Sequence, residues 1–423
     1  MSVTIDLLAE KLVQARLASR AVAQLSTKTK NTVLQAVADA IETETEHLVS
    51  ENSSDVSAAT ASGIDAYSID RLTLTPKVLS GIASDVRKVA ALEDPVGAVT
   101  DMRTVESGIT VGRIRVPFGV VGAIYESRPN VTVDIACLCF KSGNAVVLRG
   151  GSEAISSNVA LARVIHDAGV AAGAPMHWVQ LIEDTDRAHV HRLLQAKGDI
   201  DLVIPRGGAG LINFVVENAT VPVIETGAGV CHTYVDEHAD LEKARRIVVN
   251  AKTRRYSICN TLDTLLVHAA IAPQFLPAVY PDLAAAGVEI HGCPRTQAIL
   301  GESPHVLPAI DDDWGKEFLA LTMAVKVVDD FDAAMDHLHT YTSSHSEAIV
   351  TQDYTAGQRF MREMDAAAVY WNASTQFTDG AQFGLGAEVG ISTQKLHARG
   401  PMALEEMTTY KWLVYGDGAI RPL

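Results

Sequence analysis

The chain has 423 residues and a formal net charge of −16, with 48% hydrophobic and 20% charged residues. That length accommodates two or three domains, and the acidic balance argues against nucleic acid as a main partner. No apolar run approaches the roughly 18 residues of a membrane span, the N-terminal stretch lacks the basic start and apolar core of a leader, and five scattered cysteines form no disulfide framework, so a cytoplasmic, reducing setting is expected.

Residues 1–100 read as helical. Val33, Leu34, Val37, Ala38 and Ile41 share one helical face, with Ser26 or Thr27 placed to cap its start. Residues 101–116 alternate apolar and polar around Ser107-Gly108, which predicts a β-hairpin. From Gly119 the pattern changes. Short apolar runs at 119–125, 145–148, 178–182, 202–204 and 221–224 alternate with helix patterns at 131–141, 152–169, 187–196 and 209–218. A second alternation runs from 240 to 371, with strands at 262–268, 288–291, 323–328, 346–350 and 368–371. Strict alternation predicts an α/β fold whose parallel sheets carry helices on both faces. Tyr410, Trp412 and Val414 alternate in a final strand, placed to pair with the 101–116 hairpin within the chain or across a dimer.

Cys259 lies between the amphipathic pattern ending near 253 and the strand at 262–268, a loop position suited to a reactive group. Lys252, Arg254 and Arg255 precede it, and nearby positive charge favours the reactive thiolate. Two glycine pairs, Gly150-Gly151 after Arg149 and Gly207-Gly208 after Arg206, stand at strand-to-helix junctions, where backbone N–H groups and arginine suit an anion. The G-x-G-x-x-G fingerprint is missing from the first parallel strand; that strand ends in Glu126-Ser-Arg-Pro-Asn130, which brings Ser127, Arg128 and Asn130 to the ligand-binding end of the sheet. Cys137 and Cys139 have no matching pair, His189 and His191 point to different helical faces, as do His337 and His339, and no metal site is expected. Cys231 and His232, adjacent on an extended segment, face opposite ways.

Taken in order, residues 116–130, 141–153, 205–211, 250–260, 345–349 and 383–401 resemble the γ-glutamyl phosphate reductases, a branch of the aldehyde dehydrogenase superfamily. The resemblance implies a Rossmann-type cofactor domain (1–100, 117–231 and 370–398), an α/β catalytic domain (232–369) and a small β oligomerisation element (101–116 and 399–423). It also implies reduction of L-glutamyl 5-phosphate by NADPH through a thioester on Cys259, the second step of proline biosynthesis from glutamate. Ser127 or Asn130 would assist the oxyanion beside the Cys259 N–H. Arg149, Gly150, Gly151, Ser152, Arg206, Gly207, Gly208 and Glu317 would hold the cofactor, Glu317 on the nicotinamide ribose. Ser152 stands where NAD-dependent relatives carry a glutamate, and losing that anion beside Arg149 favours a 2′-phosphate. Arg128, Arg255, Lys395, His397 and Arg399 are the cations available to the substrate's carboxylate and phosphate. Glu225 lies near the place of a water-activating glutamate in hydrolytic relatives, and a reductase gives it a structural role. The resemblance further implies a homo-oligomer (dimer or tetramer) and glutamate 5-kinase as a candidate partner. An acyl-CoA-dependent reductase with the same thiol is the nearest rival, and a non-catalytic subunit docked to the kinase is a second.

Overall fold

Five helices precede the first strand in the computed structural model, which describes residues 6–421. Ser26 caps Thr27–Thr43 by accepting the Thr29 N–H at 3.2 Å, and Val33, Leu34, Val37, Ala38 and Ile41 are all fully buried. Full burial of a Val, Leu or Ile side chain contributes about 1.5–3 kcal/mol, so this face, rather than the helix propensity of a Thr-rich segment, holds the helix in place. The start of the chain, read above as lacking a leader, lies at 1–5 outside the described residues, as do 422–423 at the end of the tail.

The chain divides into two compact units. The first contains the described residues up to Glu225 with Gly384–Gly390 and the segment from Met402; the second is Thr226–Phe383 with Ile391–Pro401. This differs from the expected division, which ran at 231/232 and assigned 370–398 to the first domain. Residues 370–383 and 391–398 pack with the second unit, and 399–401 also belong to it. The reason is hydrogen bonding: Ala368–Trp371 is the edge strand of the second unit's sheet, and Thr375 and Thr378 bond to Asn260.

In the first unit four parallel strands lie in the order Val179–Leu181, Ala145–Arg149, Val120–Tyr125, Leu202–Arg206. The strand expected at 221–224 reduces to one bridge, Val203 to Val223. Pro222 offers a carbonyl to the Val203 N–H at 2.8 Å but has no N–H to continue the ladder. The expected hairpin is present: Val99–Thr104 pairs antiparallel with Thr110–Pro117, and Gly108, at φ +84°, supplies the turn. Thr408–Tyr415 adds to Thr110–Pro117 within the same chain, completing a three-stranded sheet.

The second unit is built on seven parallel strands in the order Val306–Pro308, Glu289–Gly292, Thr322–Val328, Leu262–His268, Cys231–Val235, Ser346–Val350, Ala368–Trp371. Leu262–His268, buried along its whole length, stands at the centre. Cys231–Val235 and Val306–Pro308 have no clear signature in the sequence.

Candidate active site

The last turn of Leu241–Thr253 leads through Arg254 and Arg255 into the loop that carries Cys259. That loop is pinned from several sides. Thr261 Oγ1 donates to the Arg255 carbonyl at 2.8 Å, Asn260 Nδ2 donates to the Thr378 carbonyl at 3.0 Å, and Thr375 Oγ1 donates to the Asn260 carbonyl at 2.7 Å. Gln376 Nε2 reaches back to the Ala251 carbonyl at 3.0 Å. Of the five cysteines, all among the described residues, only Cys259 is half-buried; the other four are buried. Burial pushes the thiols of Cys137, Cys139 and Cys231 well up, which keeps them unreactive.

Gly229 closes one side of the loop. A Cβ built there would lie 1.8 Å from the Cys259 carbonyl oxygen, so only glycine allows this approach. The Gly229 N–H donates to Glu317 Oε1 at 3.1 Å, and burial raises the Glu317 carboxyl. Beneath the loop the buried Cys231 thiol donates to the Cys259 carbonyl at 3.2 Å. His232, one residue on, faces the other side and meets the buried Glu347 at 3.0 Å, as strand alternation requires. The three cations that precede Cys259 in sequence divide: Arg255 is exposed, Arg254 Nε donates to Gln376 at 3.2 Å, and Lys252 is fully buried. Lys395 and Arg399 converge on Asp365 (Lys395 Nζ at 2.5 Å) and hold its carboxyl down to about 2. His397 lies exposed between them in sequence.

In the first unit the proposed ligand groups gather at the carboxyl ends of the parallel strands. Ser127, at φ +39°, donates both its N–H and its Oγ–H to Glu153 Oε1, each at 2.7 Å. Asn130 opens the helix Asn130–Lys141 and donates to Asp134 at 2.9 Å, a carboxyl that burial pushes up to about 6. Arg128 is half-buried. The Arg149 guanidinium turns inward, donating to the Gly150 carbonyl and to the Thr185 carbonyl at 2.8 Å. Ser152 opens the short helical turn Ser152–Ala154. A Cβ on Gly150 would meet Asn158 at 2.1 Å, and one on Gly151 would meet Glu153 at 2.2 Å. Arg206 ends its strand, and its carbonyl accepts the Glu126 N–H at 3.0 Å. Gly207 packs against Glu126, whose carboxylate accepts the Gly208 N–H at 2.9 Å. A Cβ on Gly208 or Gly210 would meet nothing within 4 Å. Here, at the start of the ten-residue helix Ala209–Asn218, the backbone is exposed, with the Glu126 carboxylate on the Gly208 N–H.

Comparison with known proteins assigns the architecture. The aldehyde dehydrogenase family model matches residues 7–296. The chain belongs to the aldehyde dehydrogenase family. Within it, the chain is 54% identical over 408 residues to the γ-glutamyl phosphate reductase of Moorella thermoacetica, covering 96% of this chain and 97% of that one. Identity to the Clostridium acetobutylicum protein of the same name is 51% over 407 residues, with 96% and 97% covered. The crystal structure of γ-glutamyl phosphate reductase from Thermotoga maritima superimposes with a TM-score of 0.96 at 46% identity, over 99% of this chain and 100% of that one. An acetylating aldehyde dehydrogenase from Geobacillus thermoglucosidasius, 17% identical with a TM-score of 0.67 over 98% of each chain, shares the fold.

The aldehyde dehydrogenase family uses a nicotinamide cofactor, and the donors here fit one. The exposed backbone at the start of Ala209–Asn218 suits its phosphates. Arg149 does not present its guanidinium to a ligand in this conformation. No helix among the described residues is long and apolar enough to cross a membrane, and no metal-binding cluster occurs among them. Gly229 and Asp365 went unnoticed in the sequence; the Gly227-Ala-Gly229 run was the available signal for the first, and a surface aspartate gives none for the second.

Proposed function

We propose that this protein is an NADPH-dependent reductase of L-glutamyl 5-phosphate, releasing phosphate and L-glutamate 5-semialdehyde in proline biosynthesis. The observation that supports this best is Cys259, the half-buried thiol on a loop held between Gly229 and residues 375–378, in a chain more than half identical to a named γ-glutamyl phosphate reductase.

In this reading the Cys259 sulfur attacks the acyl carbon, the bond to the phosphate oxygen breaks, and phosphate leaves with the electron pair. The Cys259 N–H is proposed to stabilise the oxyanion, and Ser127 or Asn130 is proposed as a second donor. Bound NADPH supplies the hydride. A second tetrahedral oxyanion then collapses and expels the thiolate with the aldehyde. Gly150, Gly151, Ser152, Arg206, Gly207 and Gly208 are proposed to hold the cofactor's phosphates and adenosine, Arg149 to favour its 2′-phosphate once turned outward, and Glu317 to hold the nicotinamide ribose. Arg128, Arg255, Lys395, His397 and Arg399 are proposed for the substrate's anionic groups. Glu225 is not assigned as a base, because a reductase must not hydrolyse its thioester.

The test runs the reaction in reverse, since the acyl phosphate is labile. Wild-type protein should reduce NADP⁺ with glutamate 5-semialdehyde only when phosphate is present. Cys259→Ala should lose at least about 10³-fold in rate, as expected for removal of a covalent nucleophile. Reduction without phosphate would instead indicate a hydrolytic dehydrogenase, and a requirement for coenzyme A an acyl-CoA reductase.

A further inference from the structure

Behind the Cys259 loop lie two charged side chains that the reaction as described does not use. Lys252, in the last turn of Leu241–Thr253, is fully buried, and its Nζ has no hydrogen-bond partner. Asp263, in the central strand Leu262–His268, is 1% exposed. Its two oxygens reach two backbone segments that border the Cys259 loop. Oδ1 accepts the Phe318 N–H at 3.0 Å, next to Glu317, and Oδ2 accepts the Cys231 N–H at 3.4 Å, two residues from Gly229. Those segments carry the groups already found around the Cys259 backbone: Cys231 donates to the Cys259 carbonyl, and Gly229 packs against that carbonyl while donating to Glu317.

Burying either charge alone is costly, and removing one partner leaves the other uncompensated. Burial raises the Asp263 carboxyl and lowers the Lys252 ammonium, and each opposes the other's shift. The other ionisable groups acting on them are Cys231 on Lys252 and Glu317 on Asp263; the Phe318 ring centroid lies 6.0 Å from Lys252 Nζ. A hydrophobic pair would stabilise the interior as well, so these charges are explained by what Asp263 holds.

We propose that Lys252 and Asp263 are a positioning pair for the reactive thiol: Asp263 fixes the backbone at Cys231 and Phe318, and through them Gly229 and Glu317, around Cys259, with Lys252 as its buried countercharge. This rests on Cys259 as the nucleophile. Neither side chain touches substrate; the pair acts through the segments it holds.

The experiment compares wild type, Cys259→Ala, Asp263→Asn, Asp263→Glu, Lys252→Met, Lys252→Arg and the double variant Lys252→Met/Asp263→Asn. Three readouts are taken: thermal melting, phosphate-dependent NADP⁺ reduction with glutamate 5-semialdehyde, and the pH dependence of Cys259 alkylation by iodoacetamide. Asp263→Asn and Lys252→Met should lower kcat by about 10- to 100-fold, the scale of a misplaced reacting group, with KM changed much less. Both should shift the alkylation midpoint, and Asp263→Glu and Lys252→Arg should recover part of the loss. If the single variants fail to fold, the double variant, which leaves no unpaired charge, should fold and remain slow. Folded variants with wild-type kcat and an unmoved alkylation midpoint would overturn the proposal. So would losses that follow the melting temperature alone, with no recovery in the conservative variants. Normal turnover by Cys259→Ala would sink the nucleophile reading instead.

Discussion

At the scale of single residues, the site depends on close approach. Gly229 has no room for a side chain, because the Cys259 carbonyl oxygen would lie 1.8 Å from its Cβ. Gly229→Ala should therefore displace either the Cys259 loop or the Glu317 contact. Overpacking of this kind costs about 1–3 kcal/mol, and the expected result is a folded protein with a lower melting temperature and a disproportionate fall in kcat. Melting curves and steady-state kinetics on the same preparation check this; unchanged kcat would mean that the loop accommodates the methyl without moving the sulfur. The loop position of Cys259 was legible from the helix and strand patterns that flank it. What the sequence misjudged was the direction of one cation, since Lys252 sits inside the unit rather than in solvent. Asp263 carried a readable signal: a lone acid in the apolar run Leu262-Asp-Thr-Leu-Leu-Val267 is seldom buried without a partner.

At the scale of elements, the strand Cys231–Val235 shows why tertiary context was needed. It is buried along its length, yet it includes His232 and Thr233, which break an apolar reading. His232 is tolerated because Glu347, in register on the neighbouring strand, accepts from it. Nearby imidazoles make stability depend on pH. Burial lowers His345 to about 4 and His337, in Phe331–Tyr341, to about 3, from an ordinary value near 6.5. Between those limits the unfolded chain binds protons that the folded chain refuses, so stability rises with pH. The contribution is complete above about 6.5 and is lost as pH falls through the folded values. Melting temperature should accordingly fall as pH drops from about 6.5 toward 4, and replacing His345 with Gln should flatten part of that slope. A slope identical in the variant would remove His345 from the account.

At the scale of the whole molecule, Thr408–Tyr415 completes a three-stranded sheet with Tyr410, Trp412 and Val414 exposed at 51%, 53% and 61%. Alternating exposed aromatics on an edge strand suit pairing with a second copy, the homo-oligomer expected from the resemblance. Trp412→Glu should lower the sedimentation coefficient toward that of a monomer while the melting of each unit persists. An unchanged coefficient would place assembly elsewhere.

Alternating strand and helix patterns, the capped helix at Ser26 and the hairpin at Gly108 were determined by the sequence alone, because local periodicity, capping and turn chemistry act over a few residues. The loop that carries Cys259 was legible for the same reason. The tertiary structure alone decided that residues 370–383 join the second unit, that Pro222 cuts its segment to a single bridge, that Lys395 and Arg399 meet on Asp365, and that Lys252 and Asp263 are buried, with Asp263 on the Cys231 N–H. These depend on groups far apart in the chain brought within hydrogen-bonding or Coulombic range, where burial sets which charges need partners.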